Sequence, residues 1–166
     1  MTRQNTDAPA ANAAATAVGQ TAAREEEIAF FAFKSSGAMF ALAPAYVDEV
    51  AASVFVHRIP HRRGSAVEGI SNFNGEIIPV VNAAAAFGIE GGGAQKSANT
   101  VLCRVNGERF AFKADSVEGI MRVKNSAVKD AAESPLAPKA IELGGGKTAR
   151  LIDAELLAEA IARRSI

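Results

Sequence analysis

The only two histidines of the chain, His57 and His61, stand four residues apart. Two histidines at this spacing bind a metal ion when both lie on one face of a helix. Here Pro60 lies between them and the preceding segment SVFV favours a strand, so the helical geometry is not expected. No carboxylate or cysteine follows at ligand spacing. We therefore predict no metal site and interpret both histidines as solvated loop residues.

The single cysteine, Cys103, excludes an internal disulfide and a thiolate zinc site. It alternates with Val101 and Val105, which places its thiol on the apolar face of a predicted strand. No histidine lies near it in sequence to act as a base. We interpret Cys103 as a buried, inert thiol rather than a nucleophile.

The remaining candidates for chemistry are three carboxylates and two glycine-rich segments. Asp48, Glu49 and Asp115 fall at predicted surface turns, where solvated carboxylates are expected. The segments EGGGAQKS (90–97) and GGGKT (144–148) lack the GxxxxGK[ST] spacing, and the second precedes a strand instead of a phosphate-binding helix. With no catalytic pair, metal set or phosphate loop, the sequence predicts a binding protein without enzymatic activity or cofactor.

Composition restricts the kind of partner. The formal net charge is zero and the pI is near 6.7, so no overall field favours nucleic acid or an anionic membrane. Aromatic residues are nine Phe, one Tyr and no Trp, which argues against stacking platforms for single-stranded nucleic acid. There is no signal-peptide pattern and no apolar run of the ~18 residues that a membrane span needs. We expect a cytoplasmic protein that does not insert into the membrane.

Changes of amino-acid composition along the chain predict its division into a tail and a domain. Residues 1–24 are rich in Ala and Thr and almost without large apolar side chains, so we predict a disordered tail, with an alanine-nucleated helix as the alternative. Residues 25–160 form the predicted domain, and 161–166 its C-terminal end. Within the domain, one pseudo-repeat spans about 27–89 and a second about 100–160.

The repeat is detected by direct alignment of the two halves. FFAFKSSGAMFALAPAYVDEV and VLCRVNGERFAFKADSVEGI superpose without a gap at an offset of 70, and the later parts match at an offset of 71. Each half predicts a hairpin, a further strand (SVFVHRI in the first), a glycine turn, an apolar strand and a helix start. Small antiparallel sheets close into barrels to remove their edges, so we predict two similar β-barrels. Matched pairs include Gly37 with Gly107, Phe40 with Phe110, Val47 with Val117, and Gly75 with Gly146.

Two local predictions follow from hydrophobic patterning. A short turn after the first hairpin is expected to carry Val47, Glu49 and Val50. The segment DAELLAEAIARR predicts a C-terminal helix that begins near Asp153 and places Leu156, Leu157 and Ile161 on one apolar face.

The order of these motifs resembles the CheW family of bacterial chemotaxis coupling proteins. The family has a VxE motif after the first hairpin, matched here by Val47-Asp48-Glu49-Val50. It then has a run like GviNLRGxvvPvvDLrxxLG, matched by GISNFNG (69–75), IPVVN (78–82) and FG (87–88). The resemblance covers about residues 27–160.

The resemblance implies a mainly all-β fold of two tandem, SH3-like, five-stranded β-barrels with short helices and a C-terminal helix. It implies a non-catalytic adaptor that links the signalling tips of chemoreceptors (methyl-accepting chemotaxis proteins) to the regulatory domain of a CheA-type histidine kinase. The partner-binding residues that it suggests are Val47, Glu49, Arg62, Phe73, Asn74 and Gly75.

Structural roles remain open for three of these residues. Val47 either presents an apolar contact to a receptor helix or belongs to the core, since Val117 repeats it. Phe73 fits core packing better than partner contact, and Gly75 fits a demand of the backbone better than a contact.

The chain departs from the family at three charged positions, which we expect to lie on one surface. Asn74 stands where the family commonly has the Arg that precedes the turn glycine, Asn82 stands where it has Asp, and Ala83-Ala84 replace Leu-Arg. The fold tolerates these residues, because Asn-Gly suits a tight turn and Ala suits a helix. Arg58, Arg62 and Arg63 offer a compensating positive charge from the adjacent loop, with a merely solvated loop as the alternative.

Two other functions stay open on the sequence. One is a coupling protein of another chemosensory-like pathway, such as twitching motility or surface sensing. The other is a small-molecule or redox-sensing module that uses Cys103 or a groove between the barrels.

Overall fold

The computed structural model describes residues 25–60, 65–90, 96–163 and 166, so the predicted tail at 1–24 and the loop that contains His61, Arg62 and Arg63 lie outside the described residues. The first half contains β1 (Glu27–Ser35), β2 (Ala38–Leu42), a 3-10 turn (Pro44–Tyr46), β3 (Val47–Ala52), β4 (His57–Arg58), β5 (Val67–Phe73), β6 (Glu76–Val81) and α1 (Ala83–Phe87). The second half contains β7 (Asn99–Val105), β8 (Glu108–Ala114), β9 (Ser116–Lys124), a 3-10 turn (Asn125–Ala127), β10 (Val128–Ser134), β11 (Ala137–Gly144), β12 (Lys147–Leu151) and α2 (Ala154–Ala162).

The strands form two sheets of identical topology, and each sheet takes its hairpin from the opposite repeat. The first sheet has the order β10-β11-β12-β2-β1-β9, and the second, written in the equivalent direction, has the order β4-β5-β6-β8-β7-β3. In both, the exchanged hairpin lies between two strands of the other repeat. It pairs on one side through a short parallel contact, β12 with β2 or β6 with β8, and on the other side through a longer antiparallel contact, β1 with β9 or β7 with β3. The predicted class, a mainly β fold with two barrel-like halves, is confirmed. We call the sheet β10-β11-β12-β2-β1-β9 the first barrel and the sheet β4-β5-β6-β8-β7-β3 the second barrel.

Details of the strands differ from the prediction. Each sheet contains six strands among the described residues where five were expected, and one edge strand of the second sheet, β4, is only two residues long. The expected turn that carries Val47, Glu49 and Val50 is strand β3, since the chain turns earlier, at Pro44–Tyr46. Of the predicted strand SVFVHRI, only His57–Arg58 pairs in a sheet.

The largest cluster of buried side chains lies where the two sheets and both helices meet. It is rich in phenylalanine: the ring of Phe33 lies 5.7 Å from that of Phe40 and 5.4 Å from that of Phe112, and Phe40 lies 5.1 Å from Phe87. Each barrel also has a smaller core of its own, around Phe73 in the second barrel and around Phe30 in the first. Because the main core draws on both repeats and the hairpins are exchanged, the barrels are expected to fold as one unit.

The C-terminal helix begins as predicted, with the Asp153 carboxylate accepting a hydrogen bond from the Leu156 amide at 3.0 Å. Its buried face differs from the prediction. Leu157 is fully buried and Ile161 packs partly against the main core, but Leu156 is 44% exposed. The residue after Leu157 that completes the buried face is the small Ala158, which lets the helix approach the sheets closely.

Gly69→Ala is expected to destabilise the protein by about 1–3 kcal/mol, because β4 approaches β5 at this glycine without room for a side chain. A Cβ there would collide with the carbonyl oxygen of His57 and lie 2.8 Å from Cγ1 of Val56. Urea denaturation checks this value. Ser53 is exposed in the segment that joins β3 to β4, and Ser53→Ala should leave the free energy of unfolding within about 0.5 kcal/mol of wild type. Equal effects of both changes would contradict the packing argument.

Candidate partner-binding surface

The turn between β5 and β6 is an Asn-Gly turn with both central residues in the left-handed region. Asn74 has φ of 51° and Gly75 has φ of 88°. The side-chain oxygen of Asn72 accepts a hydrogen bond from the Gly75 amide at 2.8 Å, which fixes the turn. No heavy atom lies within 4 Å of a Cβ built at Gly75, so the backbone angle rather than crowding requires glycine. Both residues are exposed at the tip of the hairpin.

Phe73 and Val47 are largely structural. Phe73 ends β5, is 7% exposed, and packs with Ile78 and Val80 in the core of the second barrel. Val47 begins β3, pairs with Cys103 and packs against the main core while remaining partly exposed. Packing is thus observed for both residues, and a partner contact by the partly exposed Val47 stays a prediction.

Glu49 and the turn lie on strands that are far apart in the order of the second barrel. Glu49 is exposed on β3, at one edge of the sheet, and it pairs with Leu102 of β7. The register shifts between Val47 and Glu49, which leaves Asp48 as the unpaired residue of a β-bulge.

Four charged side chains connect β3 to the turn across the second barrel, and we call them the charge ladder. Asp48 on β3, Arg104 on β7, Arg109 on β8 and Glu76 on β6 follow the order of the strands. Arg109 reaches in both directions: its Nη2 lies 2.7 Å from a carboxylate oxygen of Asp48, and its Nη1 lies 2.6 Å from one of Glu76. Arg104 Nε lies 3.3 Å from the other oxygen of Asp48. The Arg109 guanidinium thus joins Asp48, which lies between Val47 and Glu49, to Glu76, which follows Gly75.

The charge ladder continues the inner face of the second barrel. Residues two apart on a strand share a face, so Arg104, Arg109 and Glu76 point the same way as Leu102, Ala111 and Ile78, which are fully buried in that barrel's core. The ladder therefore lies over one end of this core. This position explains why the Arg109 side chain is only 11% exposed although all four residues are charged.

The charges of the ladder stabilise each other. Arg104 and Arg109 are directly opposite in the register of β7 and β8, an arrangement that is unfavourable for two cations unless anions flank them. Hydrogen bonding to Arg104, with the charges of Arg104 and Arg109, holds the pKa of Asp48 below its usual range. Glu76 first and Asp48 second raise the pKa of Arg109. The Asp48 contribution to stability is thus present at neutral pH and is lost as the pH falls through the lowered pKa.

An exposed apolar face, which the sequence analysis missed, adjoins the turn. Ile77 is 59% exposed and Phe55 is 76% exposed. Ile77 is opposite Asn72 in the register, and His57 is opposite Ile70, which lies on the same face of β5 as Asn72. The centroid of the Phe55 ring lies 4.8 Å from that of His57, so both apolar side chains lie on the outer side of β5. The alternation of Val54 and Val56, which pack inward, is the sequence pattern from which an outward Phe55 follows.

Comparisons with known proteins agree with the overall fold. A sequence model of the CheW-like domain matches residues 29–162. The chain belongs to the CheW-like domain family. One similar solved structure is the scaffolding protein TtCheW from Thermoanaerobacter tengcongensis, with a TM-score of 0.63 and 20% identity over 78% of this chain and 90% of that one. No curated protein sequence matches the chain.

Members of the CheW-like family are non-catalytic scaffolds, and this chain is accordingly an adaptor rather than an enzyme. Within the described ranges, no group of three or more His, Cys, Asp or Glu side chains is arranged to hold a metal ion. In those same ranges, no helix is long and apolar enough to cross a membrane.

The departures from the CheW-like pattern do not share one surface. Asn82 caps α1, since its side-chain oxygen accepts a hydrogen bond from the Ala85 amide at 3.1 Å, and its repeat equivalent Asp153 caps α2 in the same way. Ala83, in place of Leu, is fully buried in the main core, and Ala84, in place of Arg, is partly buried on α1. Only Asn74 changes the exposed hairpin tip. Arg58 is exposed on β4, and Arg62 lies outside the described residues, so its predicted role stays a prediction.

Cys103 is expected to be unreactive in the folded protein. The thiol is fully buried, and burial raises its pKa to about 12, so almost no thiolate exists near neutral pH. Ellman's reagent at pH 8 should label Cys103 only when denaturant is added. Rapid labelling of the native protein would contradict this structure and would revive the redox-sensor interpretation.

Proposed function

We propose that this CheW-like chain couples a chemoreceptor signalling tip to the regulatory domain of a CheA-type histidine kinase in the cytoplasm, at membrane receptor arrays. The observation that carries the proposal is the charge ladder. It joins the VDEV segment to the Asn-Gly turn, the two segments that the family resemblance selects, across one end of the second barrel.

The contact at the turn is largely apolar in this proposal. Asn74 has no charge to offer a partner, while Ile77 and Phe55 on the adjoining face expose most of their side chains. The nearby charges of the ladder are mutually paired, two positive and two negative, which leaves no net charge there. A partner surface that is apolar and uncharged fits this face, with Glu49 as a charged contact at the far edge.

The Cys103 alternative has little support, because the thiol is buried and protonated. A coupling role in another chemosensory-like pathway stays open, and receptor and kinase genes beside this one would distinguish the pathways.

Direct binding tests the coupling proposal. The full chain should bind the purified regulatory domain of a CheA-type kinase encoded in its own genome, and a soluble receptor signalling fragment, in isothermal titration calorimetry. It should also bring down both from its native cells. Failure to bind either purified partner would overturn the proposal.

Asn74→Arg gives a graded version of the test. Binding to a kinase regulatory domain whose own coupling protein carries Arg at the turn should tighten about threefold to tenfold, because one charge-assisted contact is restored. The gain should shrink at high salt. Ser36→Arg, at the turn of the β1–β2 hairpin of the first barrel with nearly the same backbone angle (φ of 52°), is the matched control and should leave affinity unchanged. An unaltered affinity in Asn74→Arg would show that the missing Arg does not limit binding.

A further inference from the structure

We infer that Arg109 is a positioning residue that couples the β3 segment to the β5–β6 turn, so that a structural change at either segment alters the conformation of the other. The inference rests on the proposed function for its biological meaning, because these segments are the proposed contacts. Its physical content concerns the free protein alone.

The geometry makes Arg109 a bridge rather than one member of a surface ion pair. Its two terminal nitrogens hold different carboxylates, at 2.7 Å to Asp48 and 2.6 Å to Glu76, on strands that lie on either side of its own. A planar guanidinium cannot turn towards one carboxylate without changing its bond to the other. The side chain is 11% exposed and its Nε is buried without a hydrogen-bond partner among the described residues, so few other positions are open to it.

Both carboxylates are placed where a small movement alters a contact segment. Asp48 is the bulge residue between Val47 and Glu49, and a bulge sets the direction of the side chains around it. Glu76 immediately follows Gly75 and pairs with Phe73 across the turn. A shift of the guanidinium towards one carboxylate therefore changes the support of the other segment.

The internal repeat shows that the fold does not require this bridge. At an offset of 70, the equivalents of Arg109, Arg104 and Asp48 in the first barrel are Met39, Lys34 and Glu118, and at an offset of 71 the equivalent of Glu76 is Lys147. Lys34 and Met39 are paired across β1 and β2 in the same register as Arg104 and Arg109. With Met at the central position and Lys in place of Glu76, the first barrel has the same topology without the bridge.

The test uses amide chemical shifts of the full chain, recorded by NMR without any partner. Asp48→Asn should shift the amides of Asn74 and Gly75, and Glu76→Gln should shift those of Val47 and Glu49. In an Arg109→Met background, both remote shifts should fall to a third or less, leaving only the direct field of the lost charge. Remote shifts of full size in that background, or no remote shifts in the wild-type background, would overturn the inference.

Two further variants separate bridging from charge and from general loosening. Arg109→Lys keeps the positive charge and serves as a second variant if Arg109→Met does not fold. Its single ammonium group cannot hold both carboxylates in the fixed geometry of a guanidinium. Remote shifts should fall in this variant as well, and full retention would overturn the bridge. Glu68→Gln breaks another ion pair on the same sheet, Lys113 to Glu68 at 2.7 Å, and should shift neither segment. Shifts at both segments would attribute the effect to general loosening and overturn the inference.

Binding supplies the readout that links the bridge to function. If the kinase and receptor fragments bind, Arg109→Met should weaken both about threefold to tenfold, whereas Glu68→Gln should weaken neither. If no fragment binds wild type, the coupling proposal fails while the NMR result still decides on the bridge.

Discussion

Phe40→Ala is expected to lower the free energy of unfolding of the whole domain by about 3–5 kcal/mol, the largest effect among the changes considered. Phe40 is fully buried, and its ring lies 5.7 Å from Phe33 and 5.1 Å from Phe87. Removing the ring leaves a cavity that several stiff aromatic neighbours cannot fill, since protein cores relax only partly. Urea denaturation followed by circular dichroism measures the loss.

The same experiment tests whether the barrels fold together. Phe40 lies on β2, which belongs to the first barrel, whereas Phe87 lies on α1, which follows the last strand of the first repeat and packs in the main core. A single transition shifted as a whole is expected, because the main core serves both barrels. A split into two transitions would contradict the shared core. Phe55→Ala, at a ring that is 76% exposed, is the matched control and should change stability by less than about 0.5 kcal/mol.

Ile77→Asp is expected to weaken binding to the kinase regulatory domain at least tenfold while leaving the fold intact. The side chain is 59% exposed beside the turn, so the change removes apolar area and places a charge in the proposed contact. Burying an isoleucine contributes about 1.5–3 kcal/mol, and tenfold in affinity corresponds to about 1.4 kcal/mol. Calorimetric titration against the purified kinase domain measures the change.

The chain offers a closely matched control for this prediction. Ile120, on β9 of the first barrel, is 57% exposed, so Ile120→Asp makes the same chemical change at nearly the same exposure. Kinase affinity should be unchanged in Ile120→Asp. Equal losses in both variants would point to a general charge effect, and an unaffected Ile77→Asp would remove the apolar face from the contact.

Much of the fold could be predicted from local pattern. The Asn-Gly pair at 74–75 predicts a turn with two positive φ angles, and the structure shows them. Asp153 before an apolar helix predicts a cap, and Cys103 between two valines predicts a buried thiol. These features depend on neighbours in sequence, where side-chain alternation and turn chemistry act directly.

Elements whose placement depends on distant strands were not predictable in the same way. Leu156 is exposed although it lies one residue from the buried Leu157, because the sheets leave room for only a narrow helix face. Exchange of the hairpins between barrels was also missed. Two repeats with the same pattern satisfy the same local preferences whichever hairpin each sheet receives, so no local feature distinguishes the two arrangements.

The candidate site also has some features that local sequence predicts and others that depend on distant strands. The amino-acid sequence by itself determined the repeat, the CheW-like pattern, the geometry of the Asn-Gly turn and the absence of a charge at Asn74. Only the tertiary structure decided that Asn82 is a cap, that Ile77 and Phe55 form an exposed face, and that Arg109 joins Asp48 to Glu76. The physical reason is sequence separation: the partners of Arg109 lie 61 and 33 residues away from it, and only the pairing of β3, β7, β8 and β6 brings their charges within hydrogen-bonding distance.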